Sequence, residues 1–286
     1  MTFAPNSIIS EDLYDLEDSD RTCFLCDKPD YTLVYDISHF DLPFRFQRCQ
    51  CGLVKQTPMP NEAFFKWFFN SGVFFSSRKT DKDDIWGYYD YFSDEPSRLA
   101  TSKRRFRKLA ALFDGGPKSI MKVGPGTGTF LHVAQQAGHT ARGCDISNEF
   151  VNYAKERYDV DIDNGRFEAM DYEDESFDVL LLFNVIENIP NLDEFLEAVY
   201  RTLKPGGYFV LNVVDMKNNL MAAWQKDKYF IYRPPICYIF DRHTIRATLE
   251  KYGFTLIGQH LDIRTMTPEK IATLLRQPGL LKGEVT

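Results

Sequence analysis

Between positions 119 and 213 the chain alternates short apolar runs with amphipathic stretches in a regular order. Ile120, Met121 and Val123 form a run that stops at glycines 124, 126 and 128, after which Phe130, Leu131, Val133 and Ala134 recur at helical spacing. That pattern predicts a strand, a tight turn and a helix. It repeats with an apolar segment over 140–144 and a helix that Ser147 caps and that runs to about Arg157. A further strand is expected near Phe167, and the unbroken run Phe177–Phe183 predicts a central strand buried on both faces. Residues 192–203 read as an amphipathic helix closed by Lys204-Pro205-Gly206-Gly207, with a fifth strand over 208–213. Strands alternating with helices predict a parallel sheet. Outside this block a helix over 97–113 turns Leu99, Phe106, Leu109, Ala110 and Phe113 inward. Asp241 caps a helix that Gly253 ends, a terminal strand begins over 254–257, and Thr267-Pro268 opens a last helix to about Arg276.

The glycine turn carries the chemistry. Glycines let the backbone approach a ligand closely, and the following helix presents unpaired N–H groups to its negative end. Asp145 stands 21 residues beyond Gly124, at the end of the next predicted strand, where a carboxylate can accept from ribose hydroxyls. Two cofactor classes use such a unit. A dinucleotide fingerprint, G-x-G-x-x-G/A, would need a small third residue where Thr129 stands; the spacing here is G-x-G-x-G.

The runs KVGPGTGTF, GCDIS, FDVLLLFNVIENIPN and LKPGGYFVLNV, in that order, resemble the class I S-adenosylmethionine-dependent methyltransferases over about half the chain, 118–258. The resemblance implies an α/β, Rossmann-like doubly wound sheet that binds S-adenosylmethionine through Gly124, Pro125, Gly126, Gly128, Asp145, Ile146, Met170, Asp171 and Asn184, with 170–171 at the adenine ring. Asp171 also reads as an ordinary turn residue.

Four of the six cysteines fall at Cys23-x-x-Cys26 and Cys49-x-Cys51. Two close pairs can set four thiolates around a tetrahedral zinc; disulfides and unrelated buried thiols are the alternatives. The region resembles the cysteine-rich module that precedes the catalytic domain in enzymes methylating nucleotide-linked sugars and related natural-product intermediates. There the second pair reads C-x-x-C-G-L-V; here it is one residue shorter, with His39 as a substitute ligand. Four protein ligands would make the zinc structural. Residues 58–92 are crowded with aromatics, read either as packing or as a lid in which Tyr88 or Tyr89 faces the cofactor, since the resembled enzymes place tyrosines from this region there. The expected organisation is an arm at 1–20, a zinc module at 21–60, an aromatic helical lid and linker at 61–113, and a methyltransferase domain at 114–286.

Net charge is −7 with a pI near 5.3, which disfavours nucleic-acid backbones as partners. The basic run Lys103, Arg104, Arg105, Arg107, Lys108 is accordingly read as a solvated helix face, and the acceptor as a small molecule. No stretch reaches about 18 apolar residues and the first twenty are acidic, so a cytoplasmic protein with no membrane partner is expected. The oligomeric state is open.

Three departures from the resembled pattern bear on the reaction. Lys122 replaces the carboxylate that normally helps hold the cofactor's ammonium, removing an attraction. Asn184 and Asn188 stand where W-H-V-L-E-H-I has histidines, and Ile236-Cys237 replaces a histidine-bearing segment at the substrate pocket, so no titrating group near neutrality remains at those positions. Glu187, Tyr88, Tyr89 and His243 are the catalytic candidates, with Tyr232 beside them; His243 also reads as a surface residue at a helix start. The missing base tilts the expected acceptor from carbon toward oxygen or nitrogen. An RNA or protein methyltransferase and a non-catalytic binding protein are the other classes.

Overall fold

The computed structural model describes residues 13–15, 22–39, 42–70, 74, 91–215 and 235–262. In chain order the first elements are β1 (Tyr14–Asp15), β2 (Tyr31–His39), β3 (Leu42–Cys49), β4 (Val54–Thr57), β5 (Met59–Pro60), α1 (Glu62–Asn70) and α2 (Glu95–Ala110). Then come β6 (Ser119–Val123), α3 (Thr129–Gln136), β7 (Thr140–Asp145), α4 (Asn148–Tyr158), β8 (Asp161–Asn164) and β9 (Phe177–Phe183). The last are α5 (Leu192–Thr202), β10 (Leu203–Asn212), β11 (Tyr238–Ile239) and α6 (Arg242–Lys251). Two compact units divide the chain: 1–67, 186–193 and 213–257 form the first, and 68–185, 194–212 and 258–286 the second.

The second unit is built on a five-stranded sheet in the order β10-β9-β6-β7-β8, every pair parallel. The chain runs outward from β6 through β7 to β8, then resumes on the other side at β9. The switch between β6 and β9 opens a crevice at the carboxyl ends of the strands, the binding position of α/β sheets. Ile120, Val179, Leu181, Phe130, Leu131, Ala134, Phe106 and Leu109 form one core on this sheet. Side-chain capping of α4 by Ser147, which accepts from the Phe150 N–H at 3.4 Å, matches the expectation. The α/β fold with a parallel sheet thus stands as expected.

The first unit carries an antiparallel sheet, β11-β4-β3-β2, whose buried Phe46, Val54 and Ile239 are packed by Val34, Tyr35, Val214 and Ile236. β11 pairs with β4 through Tyr238 and Lys55, although some 180 residues separate them. β11 and α6 therefore cluster with the cysteine-bearing segment. Asp241 caps α6 in a full capping box with Thr244.

Three local expectations are corrected. Phe167 lies in a short 3-10 turn, Phe167–Ala169, and the strand is β8, which is polar because it forms an edge of the sheet. Residues 254–257 form no strand. Lys204–Gly207 does not separate helix from strand; β10 starts at Leu203 and carries an irregularity between Leu203 and Tyr208. The helix expected from Thr267 lies outside the described residues. Among the described residues no helix is long and apolar enough to cross a membrane.

Candidate active site

β6 delivers its last residue into a turn that needs glycine at three places. Gly124, Gly126 and Gly128 have φ of 61°, 58° and 78°, a left-handed backbone that side chains rarely adopt. A Cβ on Gly124 would meet Val185 Cγ2 at 2.5 Å, and one on Gly128 would meet Ala154 Cβ at 2.8 Å and Val160 Cγ2 at 2.9 Å. These two glycines thus let the turn lie against its own core. Gly128→Ala combines backbone strain with a blocked contact, so a loss of roughly 3 kcal/mol is expected, read from the denaturant midpoint. An unchanged midpoint would mean that the turn is looser than its contacts imply.

Gly126 has a different neighbour. Its missing Cβ would stand 3.0 Å from the Tyr91 hydroxyl, so this tyrosine covers the turn. The Tyr91 ring packs on Phe74 and Phe150, and the Arg98 guanidinium lies 3.5 Å above it. Tyr88 and Tyr89 lie outside the described residues. Nothing in the run Tyr88-Tyr89-Asp90-Tyr91 ranks the third tyrosine above the others; only the start of the helical segment after it limits its freedom.

Asp145 ends β7 and is 8% exposed. Its Oδ1 accepts from the Ser147 N–H at 3.0 Å and its Oδ2 from the Gly126 N–H at 3.4 Å, so the carboxylate bridges the two loops that border the crevice. Burial pushes its carboxyl up to about 6, against the pull of those N–H groups and of Lys122. The loop after it is anchored by the end of α1. Ser147 Oγ donates to the Phe69 carbonyl at 2.9 Å, and Asn70 donates to the Ile146 carbonyl at 3.1 Å while accepting from the Asn148 N–H at 2.8 Å. The end of α1 is thereby fixed to the loop that follows β7.

Of the other expected cofactor contacts, Pro125 is buried under Gly143, and a Cβ there would meet its ring at 2.8 Å. Ile146 is half-buried and Met170 lays its methyl against Gly165. Asp171 is exposed. Asn184 follows β9 in a left-handed conformation, φ 58°, and its N–H donates to Asn212 Oδ1 at 2.7 Å. Asn212 in turn donates to Asp262 at 2.9 Å, and Asp262 holds Arg105.

Lys122 is 5% exposed and donates to the Gly124 carbonyl at 2.7 Å. Burial, and then the Arg105 charge, bring its ammonium down to about 7, with Asp145 pulling the other way. In sequence Arg105 reads as part of a solvated basic face. Lys103, Arg107 and Lys108 of that run are exposed, but Arg105 shares the inward face of α2 with Ser102, Phe106 and Leu109 at helical spacing, and its guanidinium lies 4.2 Å from the Phe183 ring. That spacing was the available signal.

In the first unit, Glu187 is buried at 5% exposure; its Oε1 accepts from the Val214 N–H at 3.2 Å, and its carbonyl from the Cys237 N–H at 2.7 Å. It ties together the segments that return to the sheet. His243 is exposed in the first turn of α6, where its N–H donates to Asp241 Oδ1 at 3.0 Å.

The same unit gathers the cysteines. Cys23 and Cys26 sit on a turn in which Asp27 takes a φ of 57°, and Cys49 ends β3. Gly52, at φ 97°, donates to the Cys49 carbonyl at 2.9 Å and closes a turn tight enough to bring Cys51 back beside the other three cysteines. The Sγ pairs Cys26–Cys49 and Cys23–Cys51 stand 3.3 and 3.7 Å apart, and all four sulfurs lie within 4.8 Å. Zinc–sulfur bonds of about 2.3 Å in a tetrahedron need sulfurs about 3.8 Å apart. None of the six cysteines forms a disulfide.

Comparison with known proteins fits this geometry. The chain is 33% identical over 141 residues to the phthiotriol/phenolphthiotriol dimycocerosates methyltransferase of Mycobacterium tuberculosis, covering 47% of this chain and 51% of the relative. It is 32% identical over 107 residues to a ubiquinone/menaquinone biosynthesis C-methyltransferase of Rhodopseudomonas palustris, covering 34% and 42%. The chain thus spans about half the length of these relatives or less. Magnesium protoporphyrin IX methyltransferase of Synechocystis, solved with bound SAH, matches 71% of this chain and 96% of its own at a TM-score of 0.52 and 14% identity, a likeness of fold alone. The sequence family described as a methyltransferase domain matches residues 91–259, more than half of the chain, which therefore belongs to that family.

Proposed function

We propose that the chain transfers a methyl group from S-adenosylmethionine to an oxygen or nitrogen of a small-molecule acceptor, such as a sugar or natural-product intermediate. The observation that carries this reading is the buried Asp145 carboxylate fixed beside a three-glycine turn at the sheet's switch point. A carboxylate there suits paired ribose hydroxyls, and the bare backbone of the turn suits close approach of the rest of the cofactor. Tyr91, held by Phe74, Phe150 and Arg98, supports the view that the aromatic segment screens the site from water.

The cofactor, when bound, supplies a methyl group already activated by its sulfonium. The protein's task is then to align the acceptor, exclude water and receive a proton where the acceptor carries one. With asparagine at 184 and 188 and Ile236-Cys237 at the tail, no histidine stands at those positions, and burial leaves Cys237 0% exposed. Oxygen and nitrogen acceptors demand the least of such a site. Relatives named for phthiotriol and quinone compounds support a small-molecule acceptor; one of them is named for transfer to carbon, so the choice of atom rests on these residues alone. The four-cysteine cluster is read as a structural zinc site, since four thiolates leave no open position on the metal.

Incubation with 13C-methyl-labelled cofactor and a panel of hydroxyl, amine and activated-carbon acceptors tests the reading directly. A labelled O-methyl or N-methyl product is expected; a methyl bonded to carbon would overturn the choice of atom. The pH dependence of nucleoside binding follows from Asp145. Ribose hydroxyls donate to its ionised form, so binding releases a proton wherever the free carboxyl is protonated. Affinity for 5′-methylthioadenosine is therefore expected to fall about tenfold per pH unit below about 6 and to be flat above it. A flat profile from pH 5 to 7 would separate the ribose from this carboxylate.

A further inference from the structure

We propose that Lys122 and Arg105 form a carboxylate-binding subsite for the amino-acid end of the cofactor, an inference that rests on the cofactor reading above and reverses the polarity of the resembled enzymes at this position. Lys122, on β6, reaches the end of its strand to donate to the Gly124 carbonyl at 2.7 Å. Its Nζ lies 5.3 Å from the centre of the Phe183 ring, and the Arg105 guanidinium lies 4.2 Å from the same ring. Two cations from different elements thus converge on the residue that ends β9, at the crevice.

Their arrangement is built rather than incidental. Arg105 is clamped by Asp262, its Nε donating to Oδ1 at 3.2 Å, and Asp262 accepts from Asn212 at 2.9 Å. Asn212 then accepts from the Asn184 N–H at 2.7 Å, which ties the cluster to the ends of β9 and β10. Asp262 is bonded to Arg105, and Asp145 faces the glycine turn, so among the described residues no carboxylate is bonded to Lys122. The charged groups that act on Lys122 are Arg105 from α2, which repels it, and Asp145 from β7, which attracts it; β9 contributes the uncharged Phe183. Burial with a cation alongside holds its ammonium near neutrality, the condition that an incoming carboxylate relieves and an incoming ammonium worsens. The zwitterionic end of the cofactor would accordingly enter carboxylate first.

Three ligands on the unmodified protein separate the possibilities by calorimetry: S-adenosylhomocysteine (carboxylate and ammonium), its decarboxylated analogue S-adenosyl-3-thiopropylamine (ammonium only) and 5′-methylthioadenosine (neither). The expected order places S-adenosylhomocysteine tightest, by about tenfold, with the amine no tighter than 5′-methylthioadenosine. Binding of S-adenosylhomocysteine near pH 7 takes up protons in buffers of different ionisation enthalpy, and its affinity falls above about pH 7 while that of 5′-methylthioadenosine does not. Lys122→Gln abolishes the proton uptake and most of the tenfold advantage of S-adenosylhomocysteine over 5′-methylthioadenosine measured on the same variant. An amine that binds tighter than 5′-methylthioadenosine, or proton release at pH 7, would overturn the subsite alone. Failure of all three ligands to bind would remove the cofactor reading and the subsite with it.

Discussion

Alanine at position 145 is expected to weaken S-adenosylhomocysteine binding at least a hundredfold. Two ribose hydroxyls donating to a buried carboxylate are charge-assisted bonds of about 1.5–3 kcal/mol each, and losing both corresponds to roughly two to four powers of ten. The same substitution frees the Gly126 and Ser147 N–H groups, so the two loops around the crevice lose their bridge. Asp145→Asn separates these contributions, because the amide oxygen can still accept from one loop N–H while the charge is gone. Calorimetry on the two variants, with circular dichroism to confirm that each is folded, gives the comparison. Native affinity in a folded Asp145→Ala protein would place the cofactor elsewhere.

Stripping zinc from the proposed four-cysteine site is expected to have the largest effect on stability. Structural zinc contributes about 10–16 kcal/mol in small zinc-dependent peptides, comparable with or above the roughly 5–15 kcal/mol of a whole domain. The cysteines stand at the end of β3 and on the two turns beside it, so their loss reaches the sheet of the first unit directly. A strong chelator at neutral pH is expected to lower the melting temperature of the protein by more than about 10 °C and to release about one zinc per chain. Cys49→Ser should do the same without a chelator, since it removes one of the four thiolates that would hold the metal while leaving the backbone of the turn intact. Metal-free purified protein whose melting is indifferent to chelator would return the cysteines to the role of packed thiols.

The parallel sheet was legible because its central strands bury both faces and announce themselves as unbroken apolar runs; Phe177–Phe183 has the same limits in sequence and structure. Helix starts were legible where a side chain does the capping, as at Ser147 and Asp241. β8 was missed for the opposite reason: Asp161-Ile162-Asp163-Asn164 lies at the edge of the sheet and carries no apolar pattern. The return of β11 to the cysteine-bearing unit was not legible either, because the pairing of Tyr238 with Lys55 depends on a contact between distant parts of the chain that local periodicity cannot register.

At the site, Asp145 and the glycines could be placed from spacing alone, since backbone conformation and the ends of parallel strands dictate those positions. Charge was harder to read. Lys122 reads in sequence as a lost attraction for the cofactor's ammonium, whereas in the fold burial and Arg105 bring it close to neutrality. Arg105 was hidden among basic neighbours, and Tyr91 among tyrosines. Each owes its place to packing against Phe183 or Gly126, which a one-dimensional pattern does not contain.

Calorimetric titration of the zinc-replete protein with S-adenosylhomocysteine tests most directly whether the glycine turn and Asp145 form a cofactor site. One site per chain is expected, with a Kd on the order of micromolar, about −8 kcal/mol. No heat of binding up to about millimolar ligand would contradict it, and would leave a methyltransferase fold without its cofactor.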